Sequence, residues 1–496
     1  MNRFDWVGQW AAYHGPKEAI SEEESGRRFT YGELNNAANA LWEHLETRHN
    51  LRRGDRVAIL AENHPDHFIL FALAQKSGII LVPFNFRLAP PEIAFLIHDS
   101  KPALLLVEEK FRPLLAAVPD GELPPLMDFE ALIALNEGHR EQAPAKEALL
   151  LDEDDPLFIL YTSGTTGFPK GAIYTHKMAF WNSVNTGLRL DLTSSDRTIC
   201  CLPLFHTGGW NVLSVPFLHR GAYFHMTRKF EAENILTLLE KTRSTIFMGV
   251  PTILKMMAQS PQFEAVDLSS LRYFIVGGEA MPVPLILTWH EKGVPIRQGY
   301  GLTEVGPNIT SLHQDDATRK IGSIGVPNFY VQTRIVGDDG RDVAPGENGE
   351  LWLSGPMTTP GYWNNPQESA KALKSGWFCT GDVVRADEEG FIYVVDRKKN
   401  LFISGGENVY PAEIERVLQG HPDILEAAVI GIPDPKWGES GKAFVALKPG
   451  KQLSETEVIN FCRENLAKFK VPKEVAFLDA LPKGDTGKID RRGLGN

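Results

Sequence analysis

Three observations predict an α/β fold. Short apolar or β-branched runs recur along the first three hundred residues, at Arg56 to Leu60, Ile79 to Pro83, Ala103 to Val107, Phe158 to Tyr161, Ser244 to Val250 and Tyr273 to Val276. Helical patterns separate them, which argues for parallel sheets covered by helices. From Arg341 the texture changes to short strands rich in Gly, Pro and Trp, and after a charge run the chain restarts as a unit of its own. The expected architecture is a large N-terminal domain of parallel sheets flanked by helices, with a β-rich subdomain, followed by a small α+β C-terminal domain.

Taken in order, Phe68 to Pro83 is interrupted by Gln75-Lys-Ser-Gly78 and reads as helix, turn and strand, too broken to span a membrane. Leu157 to Tyr161 reads as a buried strand delivering a Gly-rich loop, with a helix receiving it from Met178 onward. Pro295 to Gln298 is a further strand. Gly349 to Leu353, Trp377 to Thr380 and Phe391 to Val395 form the β element. Asp396-Arg-Lys-Lys-Asn400 then breaks the apolar pattern, so the boundary is drawn there, giving domains 1–396 and 397–496. Beyond it Pro411 opens a helix through Glu413, Ile414, Val417 and Leu418, because its missing amide costs nothing in a first turn. Ser454 and Glu457 form a capping box for a second helix. About 100 residues suffice for an independent core.

Composition narrows the function classes. The formal net charge of −12 repels polyanions, so nucleic acid is disfavoured as a partner, while a nucleotide can still bind through a local cluster of amides and cations. The 4 cysteines, Cys200, Cys201, Cys379 and Cys462, offer neither a Cys-x-x-Cys pair nor histidines at zinc spacing. Met-Asn-Arg-Phe-Asp-Trp lacks the apolar core of a signal peptide. A soluble, cytoplasmic protein is expected, its assembly state, a homodimer included, left open.

The most informative stretch is Tyr161-Thr-Ser-Gly-Thr-Thr-Gly-Phe-Pro-Lys170-Gly171. Gly164, Gly167 and Gly171 allow backbone amides close to an anion, Thr162, Ser163, Thr165 and Thr166 add hydroxyl donors, and Lys170 adds a positive charge. A Walker A loop fails on spacing, since Pro169 precedes Lys170 and Gly171 follows it. The loop is a phosphate cradle of another kind.

With this loop, and with Tyr300-Gly-Leu-Thr-Glu304, Thr380-Gly-Asp382, Asp396-Arg397-Lys-Lys399, Ile403-Ser-Gly-Gly-Glu-Asn408 and Thr486-Gly-Lys488, the chain resembles the adenylate-forming enzymes over essentially its whole length. That family includes acyl-CoA synthetases, luciferases and peptide-synthetase adenylation domains. The resemblance implies ATP, Mg²⁺ and coenzyme A as co-substrates or cofactors and a small carboxylic acid as substrate. The acid is activated as acyl-AMP with release of pyrophosphate, then passed to the CoA thiol.

The resemblance also assigns roles. Thr162 to Lys170 serves the ATP phosphates. Tyr300 and Gly301 meet adenine, Thr303 donates to a phosphate oxygen, and Glu304 is an oxygen ligand of the kind Mg²⁺ takes beside phosphates. Gly277, Gly278, Glu279 and Ala280 line adenine and acyl pockets. Asp382 and Arg397 contact ribose. Lys488 stands between carboxylate and α-phosphate and is expected to catalyse adenylation. One lysine cannot stay in the site while a thiol enters along the same interface, which implies a mobile C-terminal domain with its hinge near 397–400, at Lys399. Gly405 and Gly406 flank a pantetheine channel, and Trp437 either meets the CoA end or packs in a core.

The acyl pocket corresponds to Pro203-Leu-Phe-His206-Thr-Gly-Gly-Trp210-Asn211, with Gly299 nearby. Peptide-synthetase adenylation domains carry an aspartate just after this phenylalanine to pair with an amino group. His206 stands there instead, which disfavours an α-amino acid. Small and apolar residues around Trp210, Val250 and Gly277 to Ala280 suit a fatty or aryl acid. The alternatives are transfer to an amine or carrier protein instead of CoA, and non-catalytic nucleotide binding.

Overall fold

Sheet edges and strand ends position the site. The computed structural model describes residues 3–162, 169–278, 281–398, 400–404, 407–435, 437–466, 468–484 and 488–494. Ser163, Gly164, Thr165, Thr166, Gly167, Glu279, Ala280, Lys399, Gly405 and Gly406, all expected site residues, lie outside this set.

Two mostly parallel sheets share one core. The first runs Arg28–Thr30, Glu18–Glu22, Tyr223–Met226, Arg197–Cys200, and the second Leu126–Asp128, Leu104–Val107, Arg56–Leu60, Ile80–Pro83, Pro156–Thr162, Lys170–Thr175. Ile20 and Phe224 of the first pack with Val57, Ile59, Leu104 and Phe158 of the second. The helix Asp66–Ser77 carries Phe68 and Phe71 into that core and is buried along its whole length. Its middle, Phe68 to Ala74, is apolar on all sides and must be covered on all sides, and each such phenylalanine contributes about 1.5–3 kcal/mol. Gly78, at φ 72°, turns the chain into the strand Ile80–Pro83, the expected helix, turn and strand.

A third sheet has the order Ile246–Gly249, Tyr273–Val276, Ile296–Leu302, Gly306–Ser311, Val326–Pro327, parallel in its first three strands and antiparallel beyond. The β-rich element is an antiparallel sheet of Gln332–Val336, Gly349–Ser354, Trp377–Ala386, Leu373–Lys374 and Ile392–Arg397. Past it, Phe402, Val409, Ile414, Leu418, Val429, Val445, Val458 and Cys462 form a separate core, built from the strands Ile424–Asp434 and Gly438–Leu447 and the helices Pro411–Gln419 and Glu455–Asn465. The second helix begins with the expected capping box, Ser454 Oγ accepting from Glu457 N at 3.3 Å.

One element differs from expectation. The Gly-rich loop leads from Pro156–Thr162 not into a helix but into an antiparallel strand, Lys170–Thr175, and only then into the helix His176–Arg189. Gly171 hides the alternation of this strand, since it occupies a buried position without a side chain to signal it. Among the described residues, no helix is long and apolar enough to cross a membrane.

Candidate active site

The segments expected to carry chemistry leave the carboxyl ends of parallel strands, where open α/β sheets place their ligand crevices. Gly277 and Gly278 follow Tyr273–Val276, His206 lies beyond Arg197–Cys200, and Tyr300, Gly301 and Leu302 end Ile296–Leu302. A short turn through Thr303, Glu304 and Val305 then reverses the chain. That reversal is tight: a Cβ on Gly301 would lie 2.2 Å from the Pro307 carbonyl carbon. Only glycine fits there.

At the open end of this hairpin, Tyr300 Oη donates to Asp382 Oδ2 at 2.5 Å. Burial pushes the Tyr300 phenol well above its ordinary range, and the Asp382 charge adds to the effect. Asp382 is nearly inaccessible and sits in the strand Trp377–Ala386, directly across from Arg397 of Ile392–Arg397. The Arg397 guanidinium pairs with Asp382 Oδ1. Burial raises the Asp382 pKa even so, with Arg397, Tyr300 and Lys488 opposing it. The β-rich element thereby presents one carboxylate and one guanidinium to the mouth of the third sheet.

Glu304 lies deeper. Tyr362 Oη donates to Glu304 Oε1 at 2.8 Å, and the Glu304 carbonyl accepts from Thr359 N at 2.7 Å. Enclosure raises the pKa of this carboxyl, while Tyr362, Arg397 and Lys170 pull the other way. Thr303 beside it is buried. Lys170, at the start of its strand, pairs with Glu368 and stands 5.4 Å from the Tyr362 ring centroid. Thr162 at the other lip of the loop donates from Oγ1 to the Lys170 carbonyl at 3.4 Å.

Lys488 reaches this cleft from the C-terminal unit. Its Nζ donates to the Gly278 carbonyl at 2.9 Å, across 210 residues of sequence. Gly278 adopts φ +85°, a conformation L side chains rarely take. The ammonium is near enough to depress His206: enclosure by protein, then the Lys488 charge, takes that imidazole down to about 4. His206 is exposed at the cleft, and with its pKa lowered it is neutral at pH 7.

The structure therefore brings together Thr162, Lys170, His206, Gly277, Gly278, Gly299, Tyr300, Gly301, Thr303, Glu304, Asp382, Arg397 and Lys488. It does not bring Trp210 to the cleft. That ring is fully buried, with Phe158 and Phe68 at 4.9 and 5.0 Å, and its Nε1 donates to the Leu204 carbonyl. Asn211 is likewise buried, its carbonyl accepting from Asn182 Nδ2 at 2.7 Å. Both belong to a π-helical turn, Gly208–Val212, that directs them into the core behind the cleft wall. Trp437 is 41% exposed on the C-terminal unit, so packing in a core does not account for it. Sequence reading missed Tyr362 and Glu368. Their only signal was an aromatic hydroxyl and a carboxylate within Gly361-Tyr-Trp-Asn-Asn-Pro-Gln-Glu368, which by itself reads as a turn entering a helix.

Comparison with known proteins accords with this geometry. The pattern of the AMP-binding enzyme family matches residues 7–363, and that of the AMP-binding enzyme C-terminal domain matches residues 413–488. The chain belongs to the AMP-binding enzyme family. It is similar to a feruloyl-CoA synthase from Amycolatopsis sp, 39% identical over 97% of each chain. A long-chain-fatty-acid–CoA ligase of Mycobacterium tuberculosis is 37% identical over 99% of this chain and 97% of its own. Among solved structures, the O-succinylbenzoate coenzyme A synthetase of Bacillus subtilis in complex with ATP and magnesium ion superposes with a TM-score of 0.87 at 31% identity, over 99% of both chains.

Proposed function

We propose that the chain is an AMP-forming acid:CoA ligase. It activates an aryl or fatty carboxylic acid with ATP as an acyl-adenylate, releasing pyrophosphate, and passes the acyl group to CoA with release of AMP. The observation that carries this reading is the Lys488 ammonium at the Gly278 carbonyl, beside His206 and within the field of Asp382. A binding protein has no use for a cation held at the joint of two pockets. An adenylating enzyme does, because two anions must meet there.

The chain's own groups divide the work. Asp382, held by Arg397 and Tyr300, faces the ribose and accepts from its hydroxyls. Tyr300 offers its ring face to adenine. Lys170 and the Thr162 hydroxyl attend the phosphates at the hairpin. Lys488 orients the carboxylate against the α-phosphate and stabilises the charge that develops there. Neutral His206 borders the acyl carboxylate without adding a second cation.

Mg²⁺ fits the residues present. Among the described residues no group of three His, Cys, Asp or Glu side chains forms a cage. Glu304 alone, oriented by Tyr362, supplies the single carboxylate that Mg²⁺ takes beside substrate phosphates and waters. The ion supplies charge neutralisation on the departing pyrophosphate.

We draw the domain boundary at 396/397, with the small unit turning about 397–400 between the two half-reactions. Its separate core supports this; at the joint, Asp396 accepts from Asn400 Nδ2 at 3.0 Å and Ala412 N at 2.7 Å. Exposed Trp437 is then available to the CoA end after rotation. A reaction that consumes ATP and CoA suits the cytoplasm. Mixing the purified protein with ATP, Mg²⁺ and a panel of aryl and fatty acids tests the reading. Pyrophosphate release with acyl-AMP, converted to thioester on adding CoA, is expected; acyl-AMP accumulating despite CoA overturns the ligase assignment.

A further inference from the structure

Lys170, the cation of the phosphate hairpin, already has an anion. Its Nζ pairs with Glu368 Oε2, and both side chains are largely sequestered, at 13% and 16% exposure. Glu368 lies in the first turn of the helix Pro366–Ala372, where Asn365 Oδ1 caps the Glu368 amide at 3.1 Å. Negative charge is favoured at that end of a helix. Its second oxygen takes Lys371 Nζ at 2.7 Å, and Lys371 is 72% exposed. Two ammonium groups thus hold the Glu368 carboxyl down at about 2, Lys170 being the stronger partner.

The pair does not stand alone. Lys170 lies over the Tyr362 ring, and Tyr362 orients Glu304. A carboxylate on Lys170 therefore sits one aromatic ring away from the carboxylate assigned to Mg²⁺. A triphosphate entering this cleft asks for the same ammonium. Lys170 cannot give its full charge to both anions, because a neutralised ion pair attracts a third charge weakly.

The geometry points to Glu368 as an internal competitor for Lys170: a positioning carboxylate that holds the phosphate-loop lysine when no nucleotide is bound, weakens its grip on ATP, and takes it back as pyrophosphate leaves. Lys371 tunes this competition by drawing on the same carboxylate from the solvent side. The inference rests on the reading of Lys170 as a phosphate contact. It extends that reading to product release, since a lysine with a waiting partner lets a polyanion go more readily than one left bare.

The test compares Glu368→Gln, Lys371→Ala and Lys170→Ala by the KM for ATP, by kcat, and by pyrophosphate product inhibition, with Tm recorded to verify folding. Glu368→Gln is expected to lower the KM for ATP and the pyrophosphate inhibition constant by roughly threefold to fivefold, the worth of a partly exposed ion pair. Lys371→Ala removes the rival for Glu368 and is expected to raise both. Opposite directions from two neighbouring residues are a signature that a merely structural role does not give, because loss of packing impairs both alike. Glu368→Asp should restore wild-type values. If Lys170→Ala weakens ATP but Glu368→Gln leaves both constants unchanged or raises them, the competitor assignment is overturned while the phosphate role stands. If Lys170→Ala leaves the KM for ATP unchanged, the reading of Lys170 itself falls. Should Glu368→Gln not fold, Lys371→Ala decides alone: an unchanged or lowered KM for ATP refutes the competition.

Discussion

Tyr300 and Asp382 join the third sheet to the β-rich element through one hydrogen bond of 2.5 Å, the phenol donating to a carboxylate that Arg397 holds from the other side. Hydrogen bonds to charged acceptors contribute about 1.5–3 kcal/mol, so this contact adds to the backbone bond from Ile392 to Gly325 in holding the two walls of the cleft together.

Asp382→Asn is expected to raise the KM for ATP by about tenfold or more, since an amide both loses the charge opposite Arg397 and presents a donor where a ribose hydroxyl must donate. Steady-state kinetics at saturating acid measure this. A KM for ATP within twofold of wild type contradicts the ribose role.

Lys488→Ala should lower the adenylation rate by about 100-fold or more, the scale for removing a donor aimed at developing charge. Thioester formation from supplied acyl-AMP should stay within a few fold. Equal loss of both half-reactions in a folded protein would contradict the division of labour.

Glu304→Gln should shift the Mg²⁺ concentration needed for half-maximal adenylation upward. Tyr362→Phe should shift it in the same direction but less, because the carboxylate loses its 2.8 Å tether and keeps its charge. An unaltered Mg²⁺ titration in both variants removes the metal assignment.

His176 is fully buried at the start of its helix, neither ring nitrogen has a hydrogen-bond partner among the described residues, and burial lowers its pKa to about 4. The unfolded chain binds this proton near 6.5 and the native chain only near 4. The native state therefore takes up fewer protons between those values, and the stability present above 6.5 is lost as pH falls through that window. The loss is on the order of 2–3 kcal/mol. His176→Phe, which keeps an aromatic ring beside Phe4, should flatten the decline of Tm between pH 6.5 and 4; an identical slope in the variant would rule His176 out as its source.

Much of this was legible in the sequence because strand, turn and motif coincide. Arg56 to Leu60 and Tyr273 to Val276 are near-continuous apolar runs, as strands buried on both faces are, and both are strands with those bounds. The arrival of Lys488 at the Gly278 carbonyl could be expected only from the family resemblance, since a Gly-Lys pair in a basic tail has no local signature. Trp210 misled for a physical reason: an apolar residue in a pocket segment points either into the pocket or into the core behind it, and spacing does not separate the two where a π-helical turn intervenes. Glu368 stayed hidden because its partner lies 198 residues away, and long-range ion pairs leave no periodicity to read.

The crowding at Gly301 and Pro307 also sets where this enzyme can be re-engineered. Because the turn bearing Thr303 and Glu304 has no spare volume on its inner side, libraries meant to alter acid preference should hold 299–307 constant and diversify around His206 and Val250 instead. His206 is exposed at the cleft and Val250 is only partly buried, so substitutions there leave the turn itself untouched.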